Sequence, residues 1–311
     1  QVLKDAEKGS LKPVYRTAPD FPGTELLPPS FRSMDTSGFL YSNVIAASRG
    51  CPFSCDFCYN SAVKNTCGYR HRTVLSVLDE IRSKATRHIM FIDDNFIGDP
   101  EFTRELLEAM RPLELKWSAA VSANILDMPD ILDLMRETGC RSLFIGFESL
   151  SGEAIAGVHK RQNRIGRYNE LVNALHSRGI MINASFVFGL DGDDATVFDA
   201  TVKWAVENRI ETVTSHILTP YPGTAFYERM KSAGRIIDDD LSHYDTAHVV
   251  FRPERMTPQE LYDGYTRVYR EIYSFANIIR RLPRTSSQIM PYLMFNLFYR
   301  KFGRFTEWIG K

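Results

Sequence analysis

Three of the chain's five cysteines lie within eight consecutive positions of the 311-residue sequence. Cys51, Cys55 and Cys58 follow the spacing C-x3-C-x2-C, in the stretch SRGCPFSCDFCYN. Thiols placed so close together can be buried structural groups, zinc ligands or ligands of an iron–sulfur cluster. Three structural thiols at this spacing in a turn-rich loop would be an improbable coincidence, so the spacing favours a metal site.

The remaining residues help to separate zinc from an iron–sulfur cluster. A structural zinc site is closed by four ligands, commonly as two cysteine pairs. No second pair exists here, because Cys67 and Cys140 stand alone and the nearest histidines are His71 and His88. An iron–sulfur cubane held by three thiolates keeps one iron open, as a catalytic metal site requires. The sequence therefore favours the cluster and leaves a zinc-binding structural or interaction module as the alternative.

A regular alternation of apolar and amphipathic segments must position this loop. Apolar runs predict six strands, at 41–48, 88–93, 116–122, 141–147, 181–189 and 212–218. Helices are predicted after all but the last, at 72–85, 100–110, 128–139, 167–177 and 194–208. Such alternation is typical of an α/β domain with a parallel sheet, either doubly wound or curled like a barrel. The cysteine loop follows the first strand, at the end of the sheet where such folds place their chemistry.

The segments outside this alternation predict three regions. Residues 1–39 are rich in proline and turn formers and are predicted to form an irregular arm or linker, residues 40–230 the core, and residues 231–311 a mostly helical extension. Within the extension, Thr257 and Glu260 form a capping-box pattern that opens one predicted helix over 257–281.

The last segment combines apolar and basic residues at helical spacing. Its apolar members are Met290, Leu293, Met294, Leu297, Phe298, Phe302 and Phe305, and its basic members are Arg300, Lys301 and Arg304. A helix of this kind can lie on a membrane surface, or it can pack against the core as a lid.

Composition limits the classes of function. The 38 basic residues equal the 38 acidic residues, which argues against a nucleic-acid binder driven by bulk charge. No apolar run reaches the roughly 18 residues of a membrane span, and the N-terminus has no signal-peptide core. Five cysteines, three of them clustered, do not form a disulfide framework. The predicted location is the cytoplasm, with peripheral contact at the inner membrane face as a further option.

The cysteine motif, with Phe57 directly before the last cysteine, resembles the signature of radical S-adenosylmethionine enzymes. The six strand–helix units over residues 40–230 resemble the partial (β/α)6 TIM-like barrel of that superfamily. The stretches FIDDNF, IGFES, PYPGT and PYLMFNLFYRK resemble its cobalamin-associated branch, which includes the hopanoid methylases. No part of the chain resembles the cobalamin-binding domain of that branch. The expectation is therefore either a fragment of a longer enzyme or a short relative that works without cobalamin.

The resemblance implies cofactors and chemistry. Cys51, Cys55 and Cys58 would hold a 4Fe–4S cluster, and S-adenosylmethionine would bind its open iron and be cleaved reductively to a 5′-deoxyadenosyl radical. The radical would take hydrogen from an unactivated carbon, with a methylation-type reaction on a lipid or secondary metabolite as the favoured case. Cobalamin-independent oxidation, rearrangement or carbon–carbon bond formation is the alternative. The implied partners are the substrate and a reductase, flavodoxin or ferredoxin as electron donor; no nucleic acid is expected.

The resemblance also implies contacts for residues near the motif and at strand ends. Phe57 would lean on the adenine, and Tyr59 would shield the cluster. Glu148, directly after LFIGF, would accept hydrogen bonds from the ribose hydroxyls. Gly189 would let the backbone approach the adenine, and Leu218 would pack on it.

Two further groups of polar residues end the second and third strands. Asp93, Asp94 and Asn95 would take the methionine amino group, with helix capping and turn formation as the equal alternative. Ser122 and Asn124 would reach the methionine carboxylate or the ribose.

Overall fold

The structure, a computed structural model, describes residues 1–15, 35, 43–62 and 68–302. Its centre is a sheet of six strands: β1 Val44–Ile45, β4 His88–Phe91, β5 Lys116–Val121, β6 Cys140–Glu148, β7 Met181–Phe188 and β8 Thr212–Ile217. A small antiparallel pair, β2 Ser48–Arg49 and β3 Arg70–His71, brackets the cysteine loop.

The order of the strands decides between the two predicted topologies. Neighbours in the sheet are β1-β4-β5-β6-β7-β8, and every pair is parallel. A doubly wound sheet reverses its strand order at a switch point, whereas steady progression in one direction builds a barrel. The two end strands, β1 and β8, do not pair with each other. The prediction of a partial (β/α)6 barrel is therefore confirmed, and the doubly wound alternative is excluded.

Helices follow the strands as predicted, and several of them begin at a capping side chain. The described α-helices before residue 257 are α1 Val2–Glu7, α2 Val74–Ser83, α3 Pro100–Met110, α4 Pro129–Glu137, α5 Gly152–Gly157, α6 Tyr168–His176, α7 Thr196–Glu207 and α8 Ala225–Ser232. The side chains of Thr73 and Asp99 accept backbone N–H groups at the starts of α2 and α3. The sequence did not predict α1, α5 or α8.

The two faces of the sheet differ in how well they are covered. One face is buried under the helices, as Phe91, Trp117 and Ile145 illustrate. The alternate residues point to the other face, where Met90 and Phe144 are 39% and 37% exposed. A half-closed barrel explains this asymmetry, because its missing strands leave the inner face open.

The C-terminal extension covers the far edge of the sheet. Tyr269 donates a hydrogen bond to the carbonyl of Ser215 and accepts one from its N–H, both at 3.0 Å. Tyr273 does the same for Val213, at 2.6 Å and 3.1 Å. These hydroxyls take the place of a neighbouring strand along β8, which would otherwise present unpaired backbone groups.

The extension contains α9 Pro258–Ile272, α10 Phe275–Arg280 and α11 Ser286–Phe302. The predicted capping box at Thr257 is confirmed. The prediction of one helix over 257–281 is wrong, because Ser274 accepts the N–H of Asn277 and starts a separate helix. Within the described residues no helix has the length and apolar character to cross a membrane. The region boundaries at 39 and 230 remain predictions.

Arg281 joins the extension to the sheet. Its side chain is fully buried. The guanidinium donates to the carbonyls of Ile210 and Ile272, each at 2.7 Å, and to Oδ1 of Asn296 at 2.9 Å. Burial lowers the pKa of this group. The guanidinium thus donates to acceptors just before β8 and on the helices α9 and α11.

We expect Arg281→Met to lower the free energy of unfolding by about 3 kcal/mol, because the methionine leaves several buried acceptors without a donor. Urea denaturation followed by circular dichroism measures the effect. The matched control is Arg280→Met, an exposed neighbour, for which the change should stay within about 0.5 kcal/mol. Equal midpoints for the two variants would contradict the structural role of Arg281.

Candidate active site

The cysteine loop lies at the end of the sheet where the strands finish. Cys55 is buried, Cys51 and Cys58 are half-buried, and all three are free thiols. The N–H of Cys58 donates to the carbonyl of Cys55 at 3.1 Å, which closes a tight turn. Burial, followed by the charge of the neighbouring thiols, raises the pKa of Cys51 and raises that of Cys58 to about 11. The three sulfurs are therefore close enough to repel one another as thiolates.

Asp94 holds both ends of this loop. One carboxylate oxygen accepts the N–H of Gly50 at 2.9 Å, and the other accepts the hydroxyl of Tyr59. Burial opposes the charge of Asp94, but hydrogen bonds led by those from Asn60 and Tyr59 keep its pKa below the usual range. Asp94 therefore closes the loop, while the ring of Tyr59 stays largely exposed.

Asp93 serves the chain just before the loop. Its carboxylate is buried and accepts the N–H of Ala47 and the N–H and hydroxyl of Ser48. Burial raises its pKa to about 6. These contacts fix the backbone just before the loop, and the predicted contact of Asp93 with the methionine amino group remains a prediction.

Polar residues that follow the strands β4 and β5 form a network that borders the loop near Cys51. The amide nitrogen of Asn95 lies 4.0 Å from the sulfur of Cys51 and 3.1 Å from the hydroxyl of Ser122. The Ser122 hydroxyl also donates to Oδ1 of Asn124. The structure thus brings three of the predicted contact residues together on one side of the cysteines.

Glu148 lies on the opposite side, at the end of β6. Its φ of 64° and a shift of register between Gly146 and Glu148 mark an irregular strand end that redirects the side chain. The carboxylate is buried and forms an ion pair with Lys160. A side chain at Gly146 would collide with both members of this pair, so glycine is required there.

The sequence did not reveal the segment Val158–Asn163, which forms the wall behind Cys55. The carbonyl of Val158 accepts the N–H of Asp56 at 3.1 Å, and Nε2 of Gln162 lies 3.4 Å from the sulfur of Cys55. Burial opposes the charge of Lys160, but Glu148 and then the thiols of the loop raise its pKa. The only signal in the sequence was a polar run, KRQN, at residues 160–163.

The other predicted contacts pack into the protein core. Phe57 is half-buried against the core. The space next to Gly189, whose φ is 93°, is filled by Leu261 of α9. Leu218 is buried, and its N–H donates to the carbonyl of Phe188. Their contacts with an adenine remain predictions.

The donor set fits an iron–sulfur cluster better than a single ion. Among the described residues, no three Cys, His, Asp or Glu side chains are arranged to hold one metal ion. A four-iron cluster offers a separate iron to each thiolate, so its ligands do not have to converge on a point. Cys140 begins β6, at the end of that strand opposite Glu148. Cys67 lies outside the described residues.

Comparisons with known proteins place the chain in a family. The Radical SAM superfamily matches residues 45–205, and a domain of unknown function, DUF4070, matches residues 224–298. Bacteriochlorophyllide d C-12(1)-methyltransferase of Chlorobaculum tepidum is 35% identical over 89% of this chain and 62% of its own. Hopanoid C-2 methylase of Rhodopseudomonas palustris is 27% identical over 68% of this chain and 42% of its own. The chain thus spans about half the length of these curated relatives.

A solved structure supports the fold. The cobalamin-dependent S-adenosylmethionine radical enzyme OxsB superposes with a TM-score of 0.61 at 14% identity, over 97% of this chain and 54% of that one. The family match implies a 4Fe–4S cluster and S-adenosylmethionine as cofactors, and the three-thiol loop has the donors for such a cluster. By its family match, its barrel and its cysteine loop, the chain belongs to the radical SAM superfamily.

Proposed function

We propose that this chain is the core of a radical SAM enzyme that performs a methylation-type reaction at an unactivated carbon of a lipid or secondary metabolite. The observation that carries the proposal is the three-thiol loop held between two polar walls, in a chain whose relatives include a methyltransferase and a methylase. When bound, the cluster and S-adenosylmethionine supply a 5′-deoxyadenosyl radical that abstracts hydrogen. The protein binds and orients the cofactors and the substrate, and it excludes water from them.

In this proposal each side of the loop has its own task. Cys51, Cys55 and Cys58 would ligate the cluster. Glu148 would accept hydrogen bonds from the ribose hydroxyls. The polar residues near Cys51 would bind the methionine part of S-adenosylmethionine: Asp94, Asn95, Ser122 and Asn124. Phe57, Gly189 and Leu218 would bound the adenine, and Tyr59 would cover the loop.

The open face of the sheet supports an apolar substrate with a polar edge. Met90, Ile92 and Phe144 are exposed on the strands β4 to β6 or directly after them. Toward β7 and β8 the same face becomes polar, where the hydroxyl of Thr214 contacts Oδ1 of Asn183 at 2.9 Å. A lipid or a polycyclic metabolite combines these two characters, so it fits this face.

The proposal includes partners that lie outside this core. A methylation-type reaction needs a methyl group in addition to the radical, and cobalamin bound outside the barrel would carry that group to the substrate. A flavodoxin-like or ferredoxin-like donor in the cytoplasm would deliver the electron.

The proposal also includes contact with a membrane surface, because α11 has an inverted polarity. Its polar residues face the protein: Gln288 donates to the carbonyl of Gly179 at 2.7 Å, and Asn296 to that of Glu211 at 2.9 Å. Most of its apolar residues face outward, and Met294 is 66% exposed. An ordinary surface helix shows the reverse arrangement.

The charges around this apolar strip favour an anionic lipid surface as its occupant. The strip consists of Met290, Met294, Leu297 and Phe298, which are all exposed. Arg280, Arg284 and Lys301 are exposed on the same part of the extension. Apolar side chains bordered by cations are the pattern of helices that lie in the membrane interface. The side chain of Phe302, with Arg304 and Phe305, lies outside the described residues.

Cys55→Ala tests the ligand assignment. After anaerobic reconstitution we expect this variant to lose iron, sulfide, the absorbance near ~400 nm and 5′-deoxyadenosine formation with dithionite and S-adenosylmethionine. Cys140→Ala should keep all four, because that thiol lies at the other end of β6. A wild-type protein that binds one zinc ion and no iron would refute the proposal. Formation of 5′-deoxyadenosine without methylated product would favour the cobalamin-independent alternative.

Glu148→Gln tests the ribose contact. An amide is a weaker acceptor than a carboxylate, so we expect the dissociation constant of S-adenosylmethionine to rise about tenfold. Isothermal titration of the reconstituted protein measures it, and iron content shows whether the cluster is retained. The control is Glu153→Gln, an exposed carboxylate on α5. An unchanged affinity with full iron content would remove Glu148 from the binding site.

Flotation with vesicles of phosphatidylcholine and phosphatidylglycerol tests the surface contact. The double variant Met294→Glu/Leu297→Glu should bind at least about tenfold more weakly than wild type, because it puts two charges into the apolar strip. The control Leu75→Glu/Leu241→Glu adds the same charge at two other exposed leucines and should bind normally. Absence of wild-type binding would contradict the contact. If the wild-type protein is a dimer and only the Met294→Glu/Leu297→Glu variant is a monomer, the strip is instead the interface with a second copy of the chain.

A further inference from the structure

We propose that Gln162 and Lys160 raise the reduction potential of the cluster that the cysteine loop holds. Neither residue is a cluster ligand, and both lie on the segment Val158–Asn163 behind Cys55. The proposal requires only that the chain hold the cluster of its family. It is independent of the methylation-type reaction and of the substrate.

The geometry fixes Gln162 beside one ligand. Nε2 of Gln162 lies 3.4 Å from the sulfur of Cys55, a residue 107 positions away in the sequence. The amide of the next residue, Asn163, donates to the carbonyls of Gly146 and Phe147, both at 2.9 Å. These bonds anchor the segment to β6, so the backbone next to Gln162 is held in place beside Cys55.

A hydrogen bond to a ligand sulfur favours the reduced cluster. Reduction adds one negative charge to the cluster and its thiolates, and a donated N–H stabilises that charge. The same bond is worth less in the oxidised state, so it raises the potential. In water such a bond would be weak, but Cys55 is only 7% exposed and solvent competes little there.

Lys160 acts in the same direction through its charge. Its ammonium is buried in an ion pair with Glu148, on the same short segment whose Gln162 contacts the sulfur of Cys55, so its positive charge lies beside the loop. Without the ammonium, the carboxylate of Glu148 would remain as an uncompensated negative charge beside the loop. A negative charge there disfavours an additional electron, so loss of Lys160 lowers the potential.

The step concerned is a simple electron transfer. One electron passes from an external reductant, dithionite in the experiment below, to the oxidised cluster. No bond forms or breaks, and no proton is required. The protein therefore controls this step through the electrostatic surroundings of the cluster.

The experiment is a redox titration of the reconstituted chain, with mediators and detection by electron paramagnetic resonance. We expect Gln162→Leu to lower the equilibrium constant for reduction about three- to tenfold, which is roughly 30 to 59 mV for a one-electron couple. Lys160→Met should lower it by at least as much, and Lys160→Arg should stay close to wild type. The matched control is Gln259→Leu, which removes an exposed amide on α9 and should leave the potential unchanged.

Iron content is measured first, so that a damaged site is not mistaken for a shifted potential. If Lys160→Met loses iron, the double variant Glu148→Gln/Lys160→Met removes both charges and is titrated in its place, with Glu148→Gln as its reference. A full iron content with a wild-type potential in Gln162→Leu would overturn the role of Gln162. A wild-type potential with weakened binding of S-adenosylmethionine in Lys160→Met would show that Lys160 only positions Glu148.

Discussion

Repulsion between three crowded sulfurs is the constraint on which the rest of the site depends. Burial and mutual charge already raise the pKa of Cys51 and Cys58, so the bare loop favours neutral thiols. Ligation of iron needs thiolates, so the protein must hold this arrangement rigidly against their repulsion. Asp94 closes the loop at both ends, and Lys160 brings one positive charge to it. The iron ions of the cluster supply the remaining positive charge.

The topology makes this rigidity possible. Parallel strands in sequential order finish at one edge, so the ends of β4, β5 and β6 each add polar groups next to the loop. Asp94 and Asn95 follow β4, Ser122 follows β5 and Glu148 ends β6. Short local contacts then connect groups that are far apart in sequence. The same open progression leaves the outer edge of β8 without a second strand partner, and the tyrosines of the extension cover that edge.

The sequence predicted the parts of the molecule that local patterns determine. Apolar runs located all six strands, and the cysteine spacing identified the loop. The break at Ser274 was missed because one capping serine interrupts an otherwise continuous helical pattern of aromatic residues. Gln162 and Lys160 were missed for a different reason. Their role arises from contacts across the fold, with partners 107 and 12 residues away, and no periodicity records such contacts.

The C-terminal helix shows why periodicity alone cannot assign the direction of a helix face. Both faces of α11 carry a coherent pattern, one apolar and one polar. The buried cation of Arg281 decides between them, because it needs acceptors and Asn296 supplies one. Turning the apolar face inward would leave the guanidinium without Asn296 and several carbonyls without donors. The hydrogen bonds of Arg281 therefore favour the orientation in which Asn296 faces the protein and the apolar strip faces outward.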